Sequence, residues 1–190
     1  MLAVAVEWLV VTRPQLLAPE ALFEYAVEAL ARRALTTAEL RGRLERRAAR
    51  SRDVDEVIER LSAVGYLDDF RAAESHSHFR KEFEALGPKR VVRELLRRGV
   101  DASVAEDAVG EVYHDTSETD LIHAHLQKKL GKEYRDHRVK DPRVIARLYR
   151  GLLGAGFPGD RIVEALREIS SDSEWLDGFA DDPGDEDLEM

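Results

Sequence analysis

Basic side chains return in this sequence in three clusters whose internal steps suit a row of contacts to anions. Arg43, Arg46 and Arg47 form the first, Lys89, Arg90, Arg93 and Arg97 the second, and Arg143, Arg147 and Arg150 the third. Steps of three and four residues bring side chains to one face of a helix. A guanidinium is permanently charged, and its planar fork of donors matches phosphate or carboxylate two bonds at a time. From Thr37 to Arg52 there are six arginines against two glutamates, and from Pro88 to Gly99 five basic residues against one glutamate. On a 100° wheel Val91, Val92, Leu95 and Leu96 oppose the second cluster, Ile145, Leu148, Tyr149 and Leu152 the third, and Leu40, Leu44 and Ala48 the first, with Arg47 near its boundary. One such face is ordinarily a solvated helix surface. Three matched faces argue for a positive stripe that meets a polyanion, where each phosphate neutralised releases counterions.

Other chemistries find little support. His76 and His78, like His123 and His125, stand two residues apart, which on a helix separates them, and there is no HExxH. With no cysteine in the chain, thiolate metal sites and disulfides are excluded. Ser75-His76-Ser77-His78 places a hydroxyl beside an imidazole only in sequence, which is not the geometry of a catalytic triad. The glycines end helices and do not form a phosphate loop. No metal, no cofactor and no catalytic residue is therefore expected. Asn is absent and Gln occurs only at Gln15 and Gln127, which argues against base reading by a helix-turn-helix but leaves backbone contact open.

The elements that carry the arginines are three copies of one plan. TTAELRGRLERRA from Thr36, GPKRVVRELLRRG from Gly87 and DPRVIARLYRGLLG from Asp141 begin 51 and 54 residues apart. A recurrence at this interval marks stacked supersecondary units. In the first unit Pro19 starts a helix carrying Leu22, Phe23, Ala26, Val27 and Leu30; Thr36 with Glu39 makes a capping box for the second; Asp53 with Glu56 opens a third, ended by Gly65. In the second, Asp68 and Asp69 cap a helix expected to bury Phe79, Phe83 and Leu86, Gly87-Pro88 starts the next, and Asp101 caps the last. In the third, Ser117 to Gly131 is one helix, Asp141-Pro142 starts another that Gly154-Ala155-Gly156 breaks, and Pro158 leads into Ile162, Val163, Leu166 and Ile169. The expected fold is all-α, three tandem three-helix repeats forming an elongated, curved array. The repeats are placed at 21–66, 67–115 and 116–170, after an N-terminal arm over 1–20.

Charge is unevenly spread along the 190 residues. Nine acidic residues and no Lys or Arg lie between Ser170 and Met190, which leaves 29 acidic against 29 basic residues before them, so the whole net charge of −9 resides in the tail. Residues 171–190 read as an acidic disordered tail in which Trp175 and Phe179 either fold back on the last repeat or anchor a partner. The polar run GKEYRDHRVKD from Gly131 to Asp141 reads as a joint. MLAVAVEWLVV is too short to span a bilayer and reads as a packing arm or an unordered start. No membrane partner is expected, a reducing cytoplasm fits the lack of cysteine, and a monomer is expected.

GYLDD from Gly65 to Asp69, Arg71, GPKR from Gly87 to Arg90, VRELLRRGVD from Val92 and LARRALTTAELRGRL from Leu30 together resemble the RecX regulatory proteins of bacteria. The likeness runs from about Ala21 to Ser170, closely in the first two units and mainly in helix pattern in the third. It implies three tandem three-helix repeats, no enzymatic activity and binding in the groove of a RecA filament on single-stranded DNA, reached directly or through RecA. It further implies suppression of RecA ATPase, strand exchange and co-protease activity, and so an effect on recombination and DNA repair. On this reading the basic clusters face acidic RecA surface or DNA phosphate. Gly65, Tyr66, Leu67, Asp68, Asp69, Arg71 and Gly87 form the inter-repeat joints. The chain departs from the family pattern at Ala72, where a phenylalanine is usual and Phe70 is placed to fill the volume.

Overall fold

The structure, a computed structural model, describes residues 16–131, 139 and 141–170. The N-terminal apolar run, most of the polar segment after Gly131 and the acidic tail with Trp175 and Phe179 lie outside the described residues. Nine helices appear among the described residues, and no strand beyond two isolated bridges, Leu17 with Ala48 and Val139 with Ser170. They are α1 (Pro19–Arg32), α2 (Thr37–Glu45), α3 (Ser51–Ala63), α4 (Asp69–Phe79), α5 (Pro88–Arg97), α6 (Ala102–Tyr113), α7 (Glu118–Leu130), α8 (Pro142–Gly154) and α9 (Gly159–Ile169). A π-helical turn, Arg80–Glu84, prolongs α4. The fold is an all-α array of three-helix repeats, and the chain divides into two compact units, 1–69 and 70–190.

The first unit closes α1, α2 and α3 around Leu22, Ala26, Leu35, Leu40, Leu44, Val54, Val57 and Leu61. Each large aliphatic side chain withdrawn from water contributes roughly 1.5–3 kcal/mol. Thr36 opens α2 with the expected box: Glu39 N–H donates to Thr36 Oγ1 at 3.1 Å, and Thr36 N–H donates to Glu39 Oε2 at 3.2 Å. A third orphan donor, Thr37 N–H, is met by Asp69 Oδ1 at 2.7 Å, so this carboxylate serves the start of α2 from 32 residues away. The third helix differs from expectation. It begins at Ser51 with Arg50 in the cap position, while Asp53 is buried within the first turn, its carboxylate held by Arg50 Nε at 3.2 Å and Nη2 at 3.0 Å. An ion pair takes the place of a side-chain cap. Gly65, at φ +72, closes α3 in the left-handed region, as glycine allows.

The second unit has one continuous core, drawn from Val91, Leu95, Ala105, Val109, Ile122, Leu126, Ile145, Leu152, Phe157, Ile162 and Leu166. Two phenylalanines placed in the core by the sequence lie outside it. Phe79 is 51% and Phe83 66% exposed, and their rings stack at 5.1 Å. The buried face of α4 is instead Ala72, Ala73 and Ser77, and the Ser77 hydroxyl is satisfied by the Ala73 carbonyl at 2.7 Å. Phe70 packs against this core, next to the small Ala72. The π turn ends at Ala85, buried at φ +49, a left-handed position unusual for a residue with a Cβ.

Candidate functional site

The first basic cluster is only partly a helix face. α2 ends at Glu45, so Arg43 lies within it, Arg46 is its C-cap and Arg47 is beyond it. Ala48, expected on the helix stripe, instead follows this end and bridges to Leu17, whose N–H donates to the Arg47 carbonyl at 2.7 Å. The Arg47 guanidinium lies 4.5 Å from the centre of the Tyr25 ring, a cation–π contact that fixes its stem while leaving the residue exposed.

In α5 the predicted residues divide into two groups. Lys89 and Arg97 are exposed, and Arg93 is partly covered, with Arg97 Nε donating to its carbonyl at 3.2 Å. Arg90 is partly covered and already paired: its Nε donates to Glu94 Oε1 at 3.0 Å. Glu94, the lone acid of this stretch, is only 12% exposed and also meets Arg80 Nε at 2.8 Å and His76 Nε2 at 3.1 Å. Arg80 pairs in addition with Glu84. Burial alone would raise the Glu94 carboxyl, but the hydrogen bond from Arg90, with Arg80 and His76 beside it, holds it below the ordinary carboxylate range. The His76 pKa is lowered as well: burial outweighs the hydrogen bond to Glu94 and favours the neutral imidazole. This cluster was missed at the sequence level. Its signals were the i, i+4 spacings of Arg90 with Glu94 and Arg80 with Glu84.

In α8 all three arginines, Arg143, Arg147 and Arg150, are exposed, and none forms an ion pair among the described residues. Asp141 caps the helix through Arg143 N–H at 2.8 Å, and Ile145, Leu148, Tyr149 and Leu152 bury the opposite side. Gly156, at φ +90, ends the turn after α8, and this turn abuts the start of α5. Gly87 N–H donates to the Ala155 carbonyl at 2.9 Å. A Cβ on Gly87 would lie 2.4 Å from the Gly156 carbonyl oxygen, and one on Gly156 would lie 2.3 Å from Arg90 N. Two glycines therefore bring backbone against backbone and set the C-terminal end of α8 on the N-terminal end of α5, so that the negative end of one helix dipole meets the positive end of the other. The structure thus joins the second and third basic helices end to end.

Of the other residues read as joints, Leu67 is buried in the first unit's core, while Tyr66 is 61% exposed and borders a shallow apolar hollow with Val27, Leu30 and Ala31. Asp68 and Arg71 are exposed, and both are engaged in polar or charged contacts. Among the described residues no group of three His, Asp or Glu side chains is placed to hold a metal, and no helix is long and apolar enough to cross a membrane. His123 pairs with Glu168 at 3.1 Å, and His125 packs edge-on against Phe157 with Nδ1 beside the Glu84 and Ala85 carbonyls. Both histidines have structural partners.

Comparison with known proteins adds three findings. The family model described as RecX, second three-helix domain, matches residues 68–109, which span α4 to α6. The chain is 36% identical to the regulatory protein RecX of Deinococcus radiodurans over 151 residues, covering 80% of this chain and 69% of the relative. It is 33% identical to that of Pseudomonas putida GB-1 over 148 residues, covering 78% and 90%. The crystal structure of RecX from Lactobacillus salivarius superposes with a TM-score of 0.66 at 24% identity, over 80% of this chain and 96% of that one, and speaks for the fold.

Proposed function

This chain belongs to the RecX family of regulatory proteins, and on that footing we propose that it regulates a RecA filament assembled on single-stranded DNA, lowering its ATPase, strand-exchange and co-protease activities. The observation that carries this reading is the exposed basic surface on α5 and α8. Two cationic helices, locked end to end by the glycine contact, suit a partner that presents a long, regular row of negative charge. The contact residues on this reading are Arg43, Arg46 and Arg47 on α2 and the turn after it, Lys89, Arg93 and Arg97 on α5, and Arg143, Arg147 and Arg150 on α8. Arg90 acts through Glu94, as part of the internal cluster that steadies α5. The protein works by occupying a surface and has no catalytic role of its own.

The test is a charge reversal that leaves Arg90 in place. Arg93→Glu with Arg97→Glu should abolish inhibition of RecA while the helical circular dichroism and melting temperature stay near those of the parent. Undiminished inhibition by that variant would remove α5 from the contact surface.

A further inference from the structure

We infer that the acidic C-terminal segment of this chain is the resident occupant of the cationic face of α8, where it competes with the protein's partner for the same arginines. The inference rests on the reading of Arg143, Arg147 and Arg150 as contact residues and adds how access to them is governed. On a 100° wheel Arg150, Arg143, Gly154, Arg147 and Gly151 fall within one arc of about 100°, and α8 carries no acidic residue. The three arginines are exposed and form no ion pair among the described residues. Lys129 of α7, also exposed, adds a fourth positive group, its Nζ 3.4 Å from where a Cβ on Gly151 would stand. Positive charge is thus concentrated on this face with nothing described to balance it.

The chain brings the countercharge to the right end of the helix. α9 follows α8 after a short turn and packs against it, and its last residues return to where α8 begins. Val139 N–H, four residues before Arg143, donates to the Ile169 carbonyl at 2.8 Å, and Val139 bridges to Ser170. The segment after Ser170 therefore starts beside the Arg143 end of the face. It holds nine acidic residues and no Lys or Arg, and the first three, Asp172, Glu174 and Asp177, fall within seven residues of Ser170. At about 3.3 Å per residue, five residues from Ser170 reach about 16 Å, which matches the axial step from Arg143 to Gly154 at about 1.5 Å per residue. Trp175 comes within reach of Gly154, where a Cβ would meet nothing within 4 Å. Open backbone between guanidinium groups suits an indole, whose ring face attracts cations. An acid tethered beside the face meets it at a high effective concentration, which favours this segment over the same segment of a second copy.

The experiment couples the full chain with a water-soluble carbodiimide, which joins a lysine amine to a carboxylate touching it, and maps the products by peptide mass spectrometry. Lys129 should couple to Asp172, Glu174 or Asp177 within one chain, and Arg143→Gln with Arg147→Gln and Arg150→Gln should remove most of that product. A cycle of variants gives the second readout, with labelled heparin as a polyanion and fluorescence anisotropy as the measurement. Asp172→Asn with Glu174→Gln and Asp177→Asn should tighten heparin binding about ten-fold in the parent, as the loss of three exposed ion pairs allows, and less than about two-fold in the triple arginine variant. The arginine variant is altered only at exposed positions and should melt near the parent temperature. Absence of the Lys129 product, or an equal response of heparin binding in the two backgrounds, overturns the inference. Products found only between two chains also overturn it, and would seat the acidic segment of a second copy on α8. Neither measurement contains RecA, so inhibition of RecA by the parent chain tests the regulatory reading separately.

Discussion

Single residues carry the electrostatic and packing arguments. Glu94 is the clearest, because one nearly buried carboxylate balances Arg80 and Arg90 and receives His76. Replacing it by alanine strands two guanidinium groups, so Glu94→Ala should cost roughly 1.5–3 kcal/mol, read as a fall in denaturation midpoint at constant m-value. The pH dependence follows in sign. The pKa values of His76 and His125 are lowered by burial from an ordinary 6.5, so below that pH the unfolded chain binds more protons and stability falls with acidification. The depressed Glu94 carboxyl adds a second loss at lower pH, as its folded-state charge is titrated away below the usual 4.5. A melting-temperature series from pH 7.5 downward should decline from about pH 6.5, and His76→Gln with His125→Gln should flatten that first decline. The stacked Phe79 and Phe83 make an opposite case. Being exposed, they should cost no more than about 1.5 kcal/mol in the double alanine variant, against 2–5 for the buried Leu95→Ala, as measured by urea denaturation.

Helices and turns were legible where their signals are local. The capping box of α2, the Asp101 and Asp141 caps and the closing Gly65 each depend on residues within a few positions, and the structure places them as expected. Signals that depend on what packs alongside were not legible. The apolar type of Phe79 and Phe83 pointed inward, but the buried face of α4 is Ala72, Ala73 and Ser77, and the two rings stack on each other at the surface. Asp53 looked like a helix start and is the buried partner of Arg50. Gly156 was visible only as a helix breaker, whereas its larger role is the contact with Arg90 and Gly87, 66 or more residues away. That contact yields a graded prediction. Gly156→Ala combines a left-handed φ with a Cβ 2.3 Å from backbone, and should destabilise the second unit by more than about 3 kcal/mol. Gly154→Ala, two residues earlier, should be neutral or slightly stabilising. Thermal melts of the two variants side by side separate the effects.

The whole molecule shows how its function can be read from repetition rather than from a pocket. Three copies of a basic helix, at intervals of 51 and 54 residues, point to a surface protein without reference to any family. The structure keeps that pattern but makes it uneven. The α2 cluster leaves the helix at Arg46, the α5 cluster is partly neutralised by Glu94, and the α8 cluster stands fully exposed. Periodicity on a wheel cannot distinguish these cases, because it shows neither how deeply Glu94 is buried nor that Arg80 and His76 join it from α4 and the π turn that prolongs it. The central claim is that the chain regulates RecA on single-stranded DNA. The most direct measurement is the rate of single-stranded-DNA-dependent ATP hydrolysis by RecA from the same organism as this protein is titrated in. The account predicts that hydrolysis is lost at well below one copy per RecA; a rate unchanged at several-fold excess would contradict it.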